Sequence, residues 1–299
     1  MNETNAHPTP SALQGHAPRT VVLTSGVDAK FQTMLEIQDG LNAAMGDAWS
    51  EATFENPGCF DLVAAIAVEC GEAIDHLKYK WWNNGAEPDH KQFQMEIIDI
   101  AHFLLGITIL RNRIAGADVL PLLMEALDNS YVLHESYAET DKTHCISYVK
   151  RILYESLKLE YNQRLDTPYN ATLKLAWRWV FRAYFASLQR ADFDHFFNAY
   201  IGKAVLNKFR NDHGAKKYGV VRDHVAFVDH VSANGDDPYL KIWFGREDNE
   251  ILQAAIKKLN DESNLTRESI NSILETAYSD AIAWKEPKHP DLAFLKPFL

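Results

Sequence analysis

The chain is poor in cysteine, with three residues, Cys59, Cys70 and Cys145, among 299. They form no paired spacing and no CxxC, so a disulfide framework is not indicated and free thiols in a reducing compartment are expected. There is no excess of positive charge. A net charge of -11 argues against general nucleic-acid binding, which needs a basic surface. It leaves room for a small anionic substrate held by a local basic cluster and metal. No apolar run is long enough to span a bilayer; the longest, IAHFLLGITIL, carries His102 inside it. The first residues, MNETNAHPTPSALQGHAPRT, have no apolar signal core. Internal repeats and low-complexity tracts are missing too. These absences lead to the expectation of a cytoplasmic protein with no nucleic-acid and no membrane partner.

What is present is ordinary globular composition, 46% hydrophobic and 24% charged, arranged with helical periodicity. Residues 1–27 read as a flexible tail. Phe31 to Gly46 places Met34, Gln38, Leu41, Asn42 and Met45 along one side of a helix. Asp61 suits the N-cap of a helix running towards Trp82, and NNGAEPDH (83–90) is a loop. Helices are expected from Lys91 to Arg111 and after Pro121. Another carries a stripe of Ile146, Val149, Leu153 and Leu157. The aromatic run with Trp177, Trp179, Phe181, Tyr184 and Phe185 is expected to be buried or to face a subunit. Phe193 to Asp212 is the next helix, stopped by Gly214. VVRDHVAFVDHV followed by SANGDDP suggests a small hairpin or loop near 215–238. ILQAAIKKLNDE is read as a last long helix, and KEPKHPDLAFLKPFL as an extended arm. The fold class is all-α, a helical bundle. Residues 28–260 form the main domain, 112–192 a mobile helical part of it, and 261–299 a C-terminal helix and arm.

Two matched acidic pairs stand out: Glu69 and Glu72, then Glu96 and Asp99. The i, i+3 spacing puts both carboxylates of a pair on one helix face, about 60° apart. Either pair alone reads as solvated surface. Both lie in apolar stretches, and the helix holding Glu69 is apolar nearly all round, so burial is expected. Unit charges about 4 Å apart repel by roughly 4 kcal/mol at an effective dielectric near 20. Four clustered carboxylates protonate or bind cations, and hard oxygen ligands select Mg²⁺ or a relative such as Mn²⁺. On the helix 200–214, Lys203, Asn207 and Arg210 form a polar stripe opposite Val205, Leu206 and Phe209. Such a stripe can clamp phosphates. Gln38 and Asn42, at i, i+4, can supply donor and acceptor to a base. Trp81 or Trp82 can stack near it. His102 lies one turn beyond Asp99 and points towards the same cavity.

The blocks LEIQDGLN (35–42), KYKWWNN (78–84), EIIDIAHF (96–103), YIGKAVLNKFRNDHG (200–214) and YLKIWFGREDN (239–249) occur in order. Together with ExxE and ExxD they resemble the dimeric dUTPase and dCTPase-dUTPase group. That group belongs to the all-α nucleoside triphosphate pyrophosphatases, with MazG-like enzymes as relatives. The resemblance covers about residues 30 to 255. One departure is the stretch AKKYGVVRDHVAFVDHVSANGDDP (215–238), where a short link is expected. It leaves open which of Lys216, Lys217 and Tyr218 takes the phosphate-loop role.

The resemblance implies a homodimer that cleaves a deoxynucleoside triphosphate to monophosphate and pyrophosphate with Mg²⁺. It implies that Glu69, Glu72, Glu96 and Asp99 hold metal and that Glu69 also serves the attacking water. It brings Asn249 and Arg246 to the phosphates and His102 to the nucleoside pocket. The leading expectation is dUTP as substrate, serving pool sanitation and supply of the dTMP precursor. The alternatives are a phage dCTP or dual dCTP/dUTP enzyme, acting in the host cytoplasm, and a non-catalytic helical interaction protein.

Overall fold

The computed structural model describes residues 26–45, 49, 52, 61–80, 87–115, 118–131, 142–161, 166–213, 242–243, 246–261 and 265–283. Among these there are nine helices and one two-stranded ribbon, so the fold is all-α. In chain order the helices are α1 (Val27–Met45), α2 (Leu62–His76), α3 (His90–Ala115), α4 (Leu120–Tyr131), α5 (Lys142–Tyr161), α6 (Asp166–Leu188) and α7 (Phe193–Asp212). The ribbon β1 (Ile242–Trp243) and β2 (Arg246–Glu247) then leads into α8 (Asp248–Asp261) and α9 (Arg267–Ala283). The hairpin or loop expected near 215–238, residues 1–25 of the tail, the C-terminal arm, Gly214, Cys59, Trp81 and Trp82 lie outside the described residues. Val27, read as the end of the tail, is the buried first residue of α1.

α3 is the axis of the molecule. Its stretch His90–Arg113 is 24 residues long and apolar enough to cross a membrane by length and composition. Here it is mostly buried, packed by α1, α2, α6 and α7. α2 lies antiparallel on α3. Asp89 N donates to His76 O at 2.9 Å where the two ends meet, and Leu62 at the far end of α2 approaches Gly106. Side-chain caps explain the boundaries. Asp61 accepts from Ala64 N to start α2, and Asp192 accepts from His195 N to start α7. Asp89 accepts from Lys91 N and Gln92 N at the start of α3.

Several expectations need correction. α2 stops at His76 rather than reaching Trp82, and Lys78 beyond it has a left-handed φ of 51°, which ends a helix. α2 is not buried all round: Val68 is 58% exposed, and among the described residues its main packing partners are α3 and α5. On α5 the buried stripe is Cys145, Val149, Ile152, Ser156 and Leu159, while Leu157 is 40% exposed. What reads as one last long helix is two, α8 and α9, and Thr266 starts the second by accepting from Ser269 N. The aromatic helix α6 turns Trp177, Phe181, Tyr184 and Phe185 into the chain's own core. Those four rings therefore give no support to a subunit contact. α8 and α9 both pack on α7. At Gly202 the contact is so close that a Cβ would stand 2.3 Å from Ile256 Cδ1.

Candidate active site

One stripe of α3 carries the site. Glu96, Asp99, His102 and Gly106 follow one another at spacings of three and four, and the first and last are about 15 Å apart along the axis. At the Glu96 end α2 supplies carboxylates. Ligand oxygens of Glu69, Glu72 and Glu96 lie within 4.8 Å of one another. Burial pushes Glu69 up to about 9, with Asp99, Glu96 and Glu72 adding to the shift. Glu96 goes the other way. Burial works against its charge, but bonds from His76 and Glu69, together with Lys203, outweigh it and lower its pKa. His76 Nε2 stands 3.3 Å from Glu96 Oε1, and this bond raises the histidine. The crowding thus favours the protonated form at Glu69 and the charged form at Glu96.

Asp99 is turned differently. Its Oδ2 meets Lys203 Nζ at 2.7 Å, while its charge still acts on Glu69. Burial raises it, and the lysine opposes that rise. Lys203 is only 2% exposed and also donates to Asn249 Oδ1 at 3.0 Å. Arg210 is held as firmly. Its Nε and Nη2 reach the two oxygens of Asp248 at 2.8 and 2.6 Å, and Asp248 is fully buried. Arg210 also bonds Asn207 Oδ1 at 3.5 Å and Asn249 Oδ1 at 3.4 Å. The stripe read as phosphate-clamping is therefore a network already closed by counter-ions. Arg246 sits half-buried on β2, opposite Trp243 in the ribbon.

Further along α3 lies a polar pocket. His102 stacks on Tyr200 with centroids 4.2 Å apart and bonds Gln38 Oε1 through Nδ1 at 2.7 Å. Gln38 Nε2 donates to Asn42 Oδ1 at 2.8 Å. A cavity of about 1380 Å³ is lined by Gln38, Asn42, Glu69, Asp99, His102 and Arg210, with further residues from α7 and α9. Carboxylates, cations and amides thus share one cavity, wide enough for a nucleotide.

A family model described as dUTPase matches residues 30–215. The chain belongs to the dUTPase family. No curated protein matches it. The match spans α1 to α7 and ends before the ribbon and α8, so Arg246, Asp248 and Asn249 lie beyond it. The all-α fold agrees with this dUTPase membership, and the function is of the nucleotide pyrophosphatase type. Sequence reasoning missed Asp248, His76 and Tyr200. The first sits inside GREDN beside Asn249, where an acid among phosphate-binding candidates could have signalled a counter-ion. Tyr200 lies three residues before Lys203, on the same face of α7.

Proposed function

We propose that the protein hydrolyses dUTP to dUMP and pyrophosphate with the help of Mg²⁺. The observation that carries this reading is the cluster of Glu69, Glu72 and Glu96, whose oxygens approach within 4.8 Å at the edge of a cavity holding an amide pocket. The donors fit a hard divalent ion: all are carboxylate oxygens, and burial and acidic neighbours push Glu69 up to about 9, a crowding that a cation would relieve. Glu69, Glu72 and Glu96 would hold it, with Asp99 at their side. When bound, Mg²⁺, or Mn²⁺ in its place, neutralises charge developing on phosphate oxygens.

The chain's own residues do the rest. Glu69, ionised once a cation relieves the crowding, would orient the attacking water and accept its proton. Glu96, kept ionised, is steadied by His76. Asn207 and Arg210, which line the cavity, would meet the phosphates. Lys203 and Asn249, bonded to each other, and Arg246 join them in this reading on the strength of the family resemblance. Gln38, Asn42 and His102 read the base; Trp81, expected near it from the sequence, lies outside the described residues. The homodimer belongs to this proposal on the strength of the family resemblance, and the cytoplasmic setting on the sequence composition.

The test is a panel of deoxynucleoside triphosphates with Mg²⁺, scored by pyrophosphate release. Turnover of dUTP is expected, and no hydrolysis of any member would sink the reading. Comparable turnover of dCTP would sink its uracil specificity.

A further inference from the structure

Gln38, Asn42, His102 and Tyr200 form one hydrogen-bond chain drawn from α1, α3 and α7. Tyr200 Oη lies 2.9 Å from Gln38 Oε1, and His102 Nδ1 lies 2.7 Å from the same oxygen. On the other side of the amide, Gln38 Nε2 donates to Asn42 Oδ1 at 2.8 Å. The chain is sealed from water: Gln38 is 5% exposed, Asn42 and His102 4%, and Tyr200 0%. A carbonyl oxygen only accepts, so both of its neighbours must donate. That places the imidazole hydrogen on Nδ1 and leaves Nε2 as an acceptor. Burial, with Lys203 adding, pushes His102 down to about 3, so the ring is neutral. Gln38 likewise takes Asn42 Oδ1 and leaves Nδ2 as the spare donor.

These two atoms, Asn42 Nδ2 and His102 Nε2, are buried and make no hydrogen bond among the described residues. Both residues line the cavity. Gly106 keeps space beside the first: a Cβ there would stand 3.3 Å from Asn42 Nδ2. Buried polar atoms without partners are costly, and a ligand that completes them removes that cost.

The direction of the chain has one origin. A phenol has a single proton to give. Tyr200 Oη is also 3.2 Å from Met34 O, but that carbonyl already receives the α1 helix bond from Gln38 N–H. In the reverse direction the phenol would give its proton to Met34 O. Gln38 would turn Nε2 towards Tyr200 and His102, Asn42 would present Oδ1, and His102 would carry hydrogen on Nε2. Donor and acceptor in the pocket would exchange places.

We propose that Tyr200 is a specificity-determining positioning residue. Its hydroxyl fixes the chain so that the pocket offers a donor at Asn42 and an acceptor at His102. That pattern complements O4 and N3–H of uracil and opposes the N4 amino group and N3 of cytosine. The inference rests on the proposed reading that this cavity takes a pyrimidine deoxynucleoside triphosphate. It adds a residue that enforces the choice through others.

Tyr200→Phe keeps the ring on His102 and removes only the hydroxyl. The ratio of kcat/KM for dUTP over dCTP should fall by about tenfold or more, with dUTP losing and dCTP gaining. Nitrogen-15 NMR of His102 should show the Nδ1–H tautomer in the wild type and a mixture of tautomers in the variant. A folded variant with unchanged ratio and unchanged tautomer overturns the proposal, as does an Nε2–H tautomer in the wild type. The wild-type spectrum decides the matter even where the variant does not fold. A wild type that hydrolyses no deoxynucleoside triphosphate defeats the proposed function instead, and the spectrum still reports the direction of the chain.

Discussion

The acidic and the cationic sides of the site follow opposite rules. On α2 and α3, Glu69, Glu72 and Glu96 crowd oxygens of one sign within 4.8 Å, and the crowding favours the protonated form at Glu69. On α7 and α8, Lys203 and Arg210 already have counter-ions, Asp99 and Asp248, at 2.7 and 2.6 Å. The first side gathers like charges, and the second pairs opposite ones. The cations tie α7 to α3 and to the start of α8, while the glutamates are the side whose crowding a bound cation would relieve under the proposed function.

The sharpest way to break this contrast is at Glu69. Glu69→Gln should lower turnover of dUTP by about 10³-fold, yet leave the metal-free protein no less stable in thermal melts, because it removes a member of the crowd. A variant that stays active removes Glu69 from its role. On the cationic side the balance reverses. Asp248→Ala strands Arg210 beside a buried gap and should cost about 3 kcal/mol in urea unfolding. A loss below about 0.5 kcal/mol would show the pair to be a surface-grade contact.

Lys203→Met sits between the two sides. Freeing Asp99 from its partner should lower metal-free stability by about 2 kcal/mol and enlarge the rise in Tm on adding Mg²⁺. An unchanged response to Mg²⁺ would mean that Asp99 is foreign to the metal side.

His102 gives a pH signature of similar size. Its folded pKa, about 3, lies below the ordinary histidine value, so the unfolded chain binds more protons between the two. Stability should fall as pH drops below about 6.5, by up to about 1.4 kcal/mol per unit, and His102→Gln should flatten that slope. Equal slopes in the two proteins would contradict a buried neutral ring. Smallest is Gly202→Ala, where contact with Ile256 should cost about 1 kcal/mol and loosen α8 from α7.

Local features were legible in the sequence. The bounds expected for α7, Phe193 to Asp212, are those observed, and the paired acids follow from i, i+3 spacing. Pairing across the chain was not legible. Arg210 finds Asp248 only after the stretch 215–238, and no periodicity links them. Asp99 reads as the fourth acid of a cage, and its partner Lys203 on α7 could not be seen from spacing on α3. Tyr200 stands among Ala199, Ile201 and Val205, which reads as core, and its hydroxyl partner Gln38 is 162 positions away. The end of α2 escaped because Lys78 takes a left-handed conformation that residue type does not announce.

Pyrophosphate release from dUTP, followed while Mg²⁺ is titrated into metal-stripped protein, tests the central claim most directly. The account predicts no turnover in chelator, saturable activation by Mg²⁺, and no activation of Glu69→Gln. Full turnover in chelator, or equal activation of the variant, would contradict it.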